Sequence, residues 1–115
     1  MSNARYEIID NKDGTGYYVK KQDAGKPRLD LVPLEIIEAI GDVMTEALKV
    51  YEEESWRTVE PKRYIAAFTR HWIKYRKDKN SVAEDTGIPH LWHAAANIAF
   101  LITLEDLQKR SGGVK

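Results

Sequence analysis

The run Ala94-Ala95-Ala96-Asn97-Ile98-Ala99-Phe100-Leu101-Ile102 is apolar on nearly every side of a helix, and only enclosure by other helices satisfies such a surface. Pro89 is a good first helical residue and Ser111-Gly112-Gly113 a good stop. The spacing therefore predicts a helix over about 88–110, at the centre of a bundle or at the interface of a homo-oligomer. The apolar stretch is broken by Asn97 and Thr103 and falls short of the roughly 18 to 20 residues that cross a bilayer, so no membrane partner is expected.

Two further helices are expected around it. From Pro33 to about Glu53, Ile36, Ile37, Ile40, Val43, Met44, Ala47, Leu48 and Tyr51 recur at steps of three and four. From Pro61 to about Lys79-Asn80, Tyr64, Ile65, Phe68, Trp72 and Tyr75 form an apolar stripe, with Trp72 expected in the core. Gly25 to Val32 is expected to be extended, because the residue before a proline is pushed out of the helical region. Residues 1–25 carry short aromatic and β-branched runs around the turn-rich Asn11 to Gly16, which predicts a small β-hairpin. The expected organisation is a hairpin arm over 1–25, a helical domain over 26–110 and a flexible tail over 111–115. The fold class is all-α: three main helices in an oligomeric bundle, with a short N-terminal hairpin.

With 115 residues, 18 Lys+Arg against 18 Asp+Glu and no cysteine, the composition is that of one small cytosolic domain. A net charge of zero argues against a nucleic-acid polymer as partner, since phosphate neutralisation needs a basic excess. A domain this small often completes its core by pairing with its own copy.

Three sets of residues could carry chemistry. Glu35, Glu38, Asp42 and Glu46 lie along one face of the first helix, and Glu35-x-x-Glu38 has the spacing with which a helix offers two carboxylates to a divalent cation; a solvated acidic face fits the same pattern. His90, His93 and Asn97 share one side of the third helix, and His71 is the chain's other histidine. Imidazoles in such a set can ligate a metal, grip a phosphate as cations, act as acid or base, or close hydrogen bonds onto nearby backbone. Lys26, Arg28, Arg63, Arg70 and Lys74, with Tyr51, Trp56, Trp72 and Trp92, offer guanidinium forks for phosphate and rings for a base. Trp56 stands out, because it sits in the polar connector Glu54 to Thr58 instead of on a helical stripe. The phosphate-binding glycine loop, the dinucleotide glycine fingerprint, the Gly-x-Ser-x-Gly elbow and His-Glu-x-x-His do not occur.

Gly25-Lys26-Pro27-Arg28-Leu29-Asp30-Leu31-Val32-Pro33, Lys49-x-Tyr51, Trp56, Arg63-Tyr64, Arg70-His71, Asp85-Thr86-Gly87 and His90-Leu91-x-His93-Ala94-x-x-Asn97 follow one another in this order. In this they resemble the phage family of dATP/dGTP diphosphohydrolase N-terminal domains, over residues 25 to about 105. The resemblance implies an activity in the host cytosol that prunes purine deoxynucleoside triphosphates to monophosphates. It also implies kinship with the all-α pyrophosphohydrolases of the MazG type, which form dimers or tetramers and use Mg or Mn. Where those enzymes usually present Glu-x-x-Glu and Glu-x-x-Asp on two helices, the third helix here presents His90, His93 and Asn97.

The combined expectation is hydrolysis of a nucleoside triphosphate between its α and β phosphates by metal-activated water. Glu35, Glu38, Asp85 and His93 would hold the Mg or Mn, with Glu38 and His71 as catalytic groups. Lys26, Arg28, Arg70 and Lys74 would clamp the phosphates, Tyr51 or Trp56 would stack on the base, and His90 and Asn97 would hydrogen-bond the ligand. The alternative is a binding protein that sequesters a nucleotide or nucleotide-derived immune signal without cleaving it and without a metal. A third possibility is a structural oligomer whose polar stripe fixes helix register.

Overall fold

The computed structural model describes the backbone of residues 6–10, 17–21 and 25–110. The chain divides into two units, residues 1–32 and 33–115.

In the first unit, β1 (Tyr6–Asp10) and β2 (Tyr17–Lys21) pair antiparallel, with Tyr6 opposite Lys21 and Ile8 opposite Val19. The expected connector, residues 11–16, lies outside the described residues. The segment expected to be extended instead contains a 3-10 turn at Leu29–Leu31. Two features close it. The amides of Leu31 and Val32 donate to the carbonyls of Arg28 and Leu29 at 3.1 and 3.2 Å, and the Arg28 fork grips the Asp30 carboxylate with bonds of 2.9 and 2.8 Å. That grip holds the exposed Asp30 carboxyl below its ordinary pKa. The proline rule survives at Val32, which precedes Pro33 and keeps an extended backbone at φ −73°, ψ 128°.

The second unit has three α-helices among its described residues: α1 (Glu35–Ala47), α2 (Pro61–Lys77) and α3 (His90–Arg110). Helix α1 stops at Ala47, well short of the expected Glu53. Glu52, Glu53 and Glu54 would have placed three carboxylates against the negative end of the helix dipole, and the chain leaves the helix before them. Glu54 then turns left-handed at φ 72°, and Ser55–Thr58 form a 3-10 turn. Pro61 starts α2 as expected, and Lys74, Arg76 and Lys77 complement the dipole in its last turn.

Helix α3 is the spine. Both α1 and α2 pack on it, and they make no contact with each other. Among the described residues, the buried side chains of this unit are small, Ala39, Ala83, Ala94 and Ala96, joined by the polar His90 and Asn97. Trp72, expected in the core, is 37% exposed, and Ile65 is more so. The α3-facing stripe of α2 is Tyr64, Phe68, His71 and Tyr75, at steps of four, three and four; Ile65 and Trp72 sit about one-quarter turn off it. Trp72 instead stacks along Phe68 at 6.1 Å and tilts against Tyr75 at 5.5 Å.

The connection from α2 to α3 is a tight turn in which Ala83 N–H donates to the Ile88 carbonyl and Gly87 N–H to the Ala83 carbonyl, at 2.9 and 2.8 Å. Gly87 adopts φ +73°, where a β-carbon is strained. Gly87→Ala is expected to cost about 1 to 2 kcal/mol, read as a lower urea midpoint at unchanged slope; an unchanged midpoint would show that the turn yields freely.

Candidate functional site

Because α1 and α2 do not touch, a cleft remains between them, with α3 as its floor. It forms a pocket of about 670 Å³. Gly41, Met44, Thr45 and Leu48 come from α1, Tyr51 to Trp56 from the connector, Arg63, Tyr64, Ala67 and Arg70 from α2, and Asn97 and Phe100 from α3. On α2 the two arginines are seven residues apart, so both guanidinium groups lie along one edge of the helix.

The aromatic wall is itself a packed assembly. Trp56 stacks on Phe100 at 4.9 Å, Tyr64 tilts against Phe100 at 4.9 Å, and the Arg57 guanidinium stands 4.5 Å from the Trp56 ring centre. Arg57 also pairs with the Glu54 carboxylate. The Tyr64 hydroxyl donates to the Trp56 carbonyl at 2.8 Å, and burial pushes its pKa above the ordinary value, which keeps it a donor. Trp56 thus holds the connector onto α2 and α3. Tyr51, 64% exposed, is the pocket aromatic with an open face.

Behind Arg70 and Asn97 lies a histidine cluster. His71 Nδ1 and His90 Nδ1 are 2.7 Å apart in a hydrogen bond, which requires one of them to carry the proton and the other a lone pair. The His71 ring lies over His93 at 4.5 Å and 12°. His93 Nε2 meets the Thr86 hydroxyl at 2.9 Å, and the Asn97 amide donates to the His93 carbonyl at 2.8 Å. Burial, then the neighbouring charges of His93, His90 and Arg70, push the His71 pKa down to about 4 against a weaker pull from Asp85. Burial also lowers His93, with Asp85 opposing. At neutral pH His71 and His93 are therefore uncharged and offer a phosphate no cation.

Of the expected site residues, Tyr51, Trp56, Arg70 and Asn97 line the pocket together. Lys74 is one turn beyond Arg70 on α2, and its carbonyl accepts from Ser81 Oγ. His71, His90 and His93 gather in the adjoining cluster, within electrostatic reach of Asp85 in the turn before α3. Glu35 and Glu38 are exposed in the first turn of α1 and do not line the pocket. Among the described residues no three His, Asp or Glu side chains form a set that could hold a metal ion. Lys26 and Arg28 belong to the first unit, where Arg28 engages Asp30. Tyr64, Phe100 and Met44 were not expected in the site. The spacing of Arg63 and Arg70, one helical edge with Tyr64 and Ala67 beside it, is the signal that points to that wall.

The family model for dATP/dGTP diphosphohydrolase, N-terminal, matches residues 18–112, an interval that includes all three helices and every pocket residue. The chain belongs to this family. A Salmonella phage PMBT28 protein described as a dATP/dGTP diphosphohydrolase is 29% identical over 84 residues, which is 73% of this chain. The chain covers 29% of that relative's length. No solved structure matches it. The cleft combines two arginines with aromatic rings, groups suited to phosphate oxygens and to a stacked ring. Among the described residues no helix is long and apolar enough to cross a membrane.

Proposed function

We propose that the cleft between α1 and α2 binds a purine deoxynucleoside triphosphate, and that the family fold serves its hydrolysis to monophosphate and pyrophosphate. The observation that carries the binding half is the pairing of Arg63 and Arg70 on one wall with aromatic rings on the others. The arginines take phosphate oxygens through charge-assisted hydrogen bonds, and the open face of Tyr51 takes the base. Asn97, whose amide N–H donates to the His93 carbonyl, also lines the cleft and is proposed to hydrogen-bond the ligand there.

The hydrolytic half rests on family membership. Glu38 lies outside the pocket lining but one turn before the pocket residue Gly41, and it is the carboxylate proposed to reach the attacking water once substrate is bound; Mg or Mn is proposed to enter bound to the triphosphate as part of the substrate. Because the described side chains of one chain build no three-ligand metal set, no step is assigned to a protein-held cation. A second reading, in which the cleft sequesters the nucleotide uncleaved, is supported by the same arginine and aromatic lining.

One experiment separates these outcomes. The protein is incubated with dATP and dGTP with and without Mg, and both the supernatant and the nucleotide released by heat are chromatographed. Monophosphate with pyrophosphate, reduced in Glu38→Gln, supports hydrolysis. Intact heat-released nucleotide supports sequestration, and the absence of both contradicts nucleotide handling by this chain.

Tyr51 and Trp56 should separate in the same way. Tyr51→Ala is expected to weaken nucleotide binding by about 1 to 3 kcal/mol with little change in Tm, because its exposed ring has only the ligand to lose. Trp56→Ala removes the ring stacked on Phe100 and should lower Tm as well. Equal melting temperatures for the two variants would refute the structural role given to Trp56.

A further inference from the structure

Gly41 stands at the midpoint of α1, where a glycine weakens a helix relative to alanine because it loses more backbone freedom on folding. Nothing in the fold asks for it. Gly25 and Gly87 take φ of +86° and +73°, where a β-carbon is strained, but Gly41 has no positive φ. No other element crowds it either: apart from its chain neighbours and its own helix backbone, no described atom lies within 4 Å of where its β-carbon would be. The space that a side chain would take is space in the cleft, which Gly41 lines beside Met44, Thr45 and Leu48. Glu38, Gly41, Thr45 and Leu48 follow at steps of three, four and three along one edge of α1, and Tyr51 comes just past its end.

We propose that Gly41 is the point at which the sugar and α-phosphate of the nucleotide cross α1, in van der Waals contact with the helix backbone. This rests on the nucleotide reading of the cleft. With the base on Tyr51 and Glu38 reaching for the attacking water, the part of the nucleotide that spans α1 between them is the sugar with its first phosphate. A ligand seated against backbone needs a wall without a β-carbon at the point of closest approach, and glycine is the residue that provides it. A methyl group there would stand in the ligand's place and push the α-phosphate away from Glu38. Glycine thus lowers the stability of α1 and raises affinity, so fold and binding should respond to a side chain at residue 41 with opposite signs.

The test measures Tm, and affinity by calorimetric titration with dATP and with dGTP, on the full chain for the parent, Gly41→Ala and Gly41→Leu. Alanine and leucine are both strong helix formers, so each variant should raise Tm, by about 2 to 8 °C. Affinity should fall about tenfold in Gly41→Ala and about a hundredfold in Gly41→Leu, because the space lost grows with the side chain. The loss should be the same for the two nucleotides, since the sugar and α-phosphate are common to both. Variants that bind as tightly as the parent overturn the proposal. So does an equal loss in both variants, which would trace the effect to a stiffer helix, or a loss confined to one nucleotide, which would put the base at Gly41. A lower Tm in Gly41→Ala also overturns it, because the fold itself would then need the glycine. A parent that binds neither nucleotide overturns the nucleotide reading of the cleft and the proposal with it, whereas a parent that binds both, with variants that bind equally well, overturns the proposal alone.

Discussion

Replacing Arg63 and Arg70 together with alanine should lower affinity for a deoxynucleoside triphosphate by about 3 to 6 kcal/mol, some two to four powers of ten, at nearly constant Tm. The figure follows from two hydrogen bonds to charged phosphate oxygens at about 1.5 to 3 kcal/mol each. Stability should hardly change, since both side chains are exposed and neither forms an ion pair among the described residues. Arg70→Lys should recover only part of the loss, because an ammonium keeps the charge but not the planar fork. Calorimetric titration with dATP and with dGTP provides the numbers. An affinity within about threefold of the parent's for the double alanine variant would remove α2 from the phosphate site.

Acid should destabilise the fold through the histidine cluster. The His71 pKa is about 4 in the folded chain against 6.5 for the ordinary side chain. Between those values the unfolded chain binds more protons, so folding stability rises with pH. The contribution is complete above about pH 6.5, falls as pH drops through that value, and is gone below about 4; His93 acts in the same direction. Because the ring is only partly buried, the loss is on the order of 1 to 2 kcal/mol after solvent screening. Urea midpoints at pH 7 and at pH 4.5 measure it. His71→Gln should flatten the dependence over this interval, and a variant as acid-sensitive as the parent would place the cause elsewhere.

The same two features show what the sequence made legible and what it did not. The helices were visible because their apolar residues recur at three and four steps and prolines mark their starts, and His90, His93 and Asn97 could be placed on one helix face, whereas the contact of His71 with His90 and His93 is tertiary. Helix periodicity does not reveal where a favourable pattern is abandoned. The pattern in α1 runs on to Tyr51, yet the helix ends at Ala47, before the three successive glutamates at 52–54 that would oppose its dipole. That early end creates the connector that lines the cleft with Tyr51 and Trp56. The protonation of the histidines was equally hidden, since three imidazoles on two helices suit metal ligation, phosphate binding or mutual hydrogen bonding until their burial is known. Trp56, singled out for standing in a polar connector, does line the cleft, but its ring is held by Phe100 and Arg57, a tertiary contact with no local signature.

The central claim, that the cleft between α1 and α2 is the nucleotide site, is tested most directly by the tryptophan indole N–H resonances in a two-dimensional NMR titration with dGTP. Trp56 lines the cleft, whereas Trp72 lies on the exposed side of α2 beside Tyr75 and Arg76. The account predicts a saturable shift of the Trp56 signal, identified by its loss in Trp56→Phe, while the Trp72 signal stays in place. A shift confined to Trp72, or no saturable shift at either ring, would contradict it.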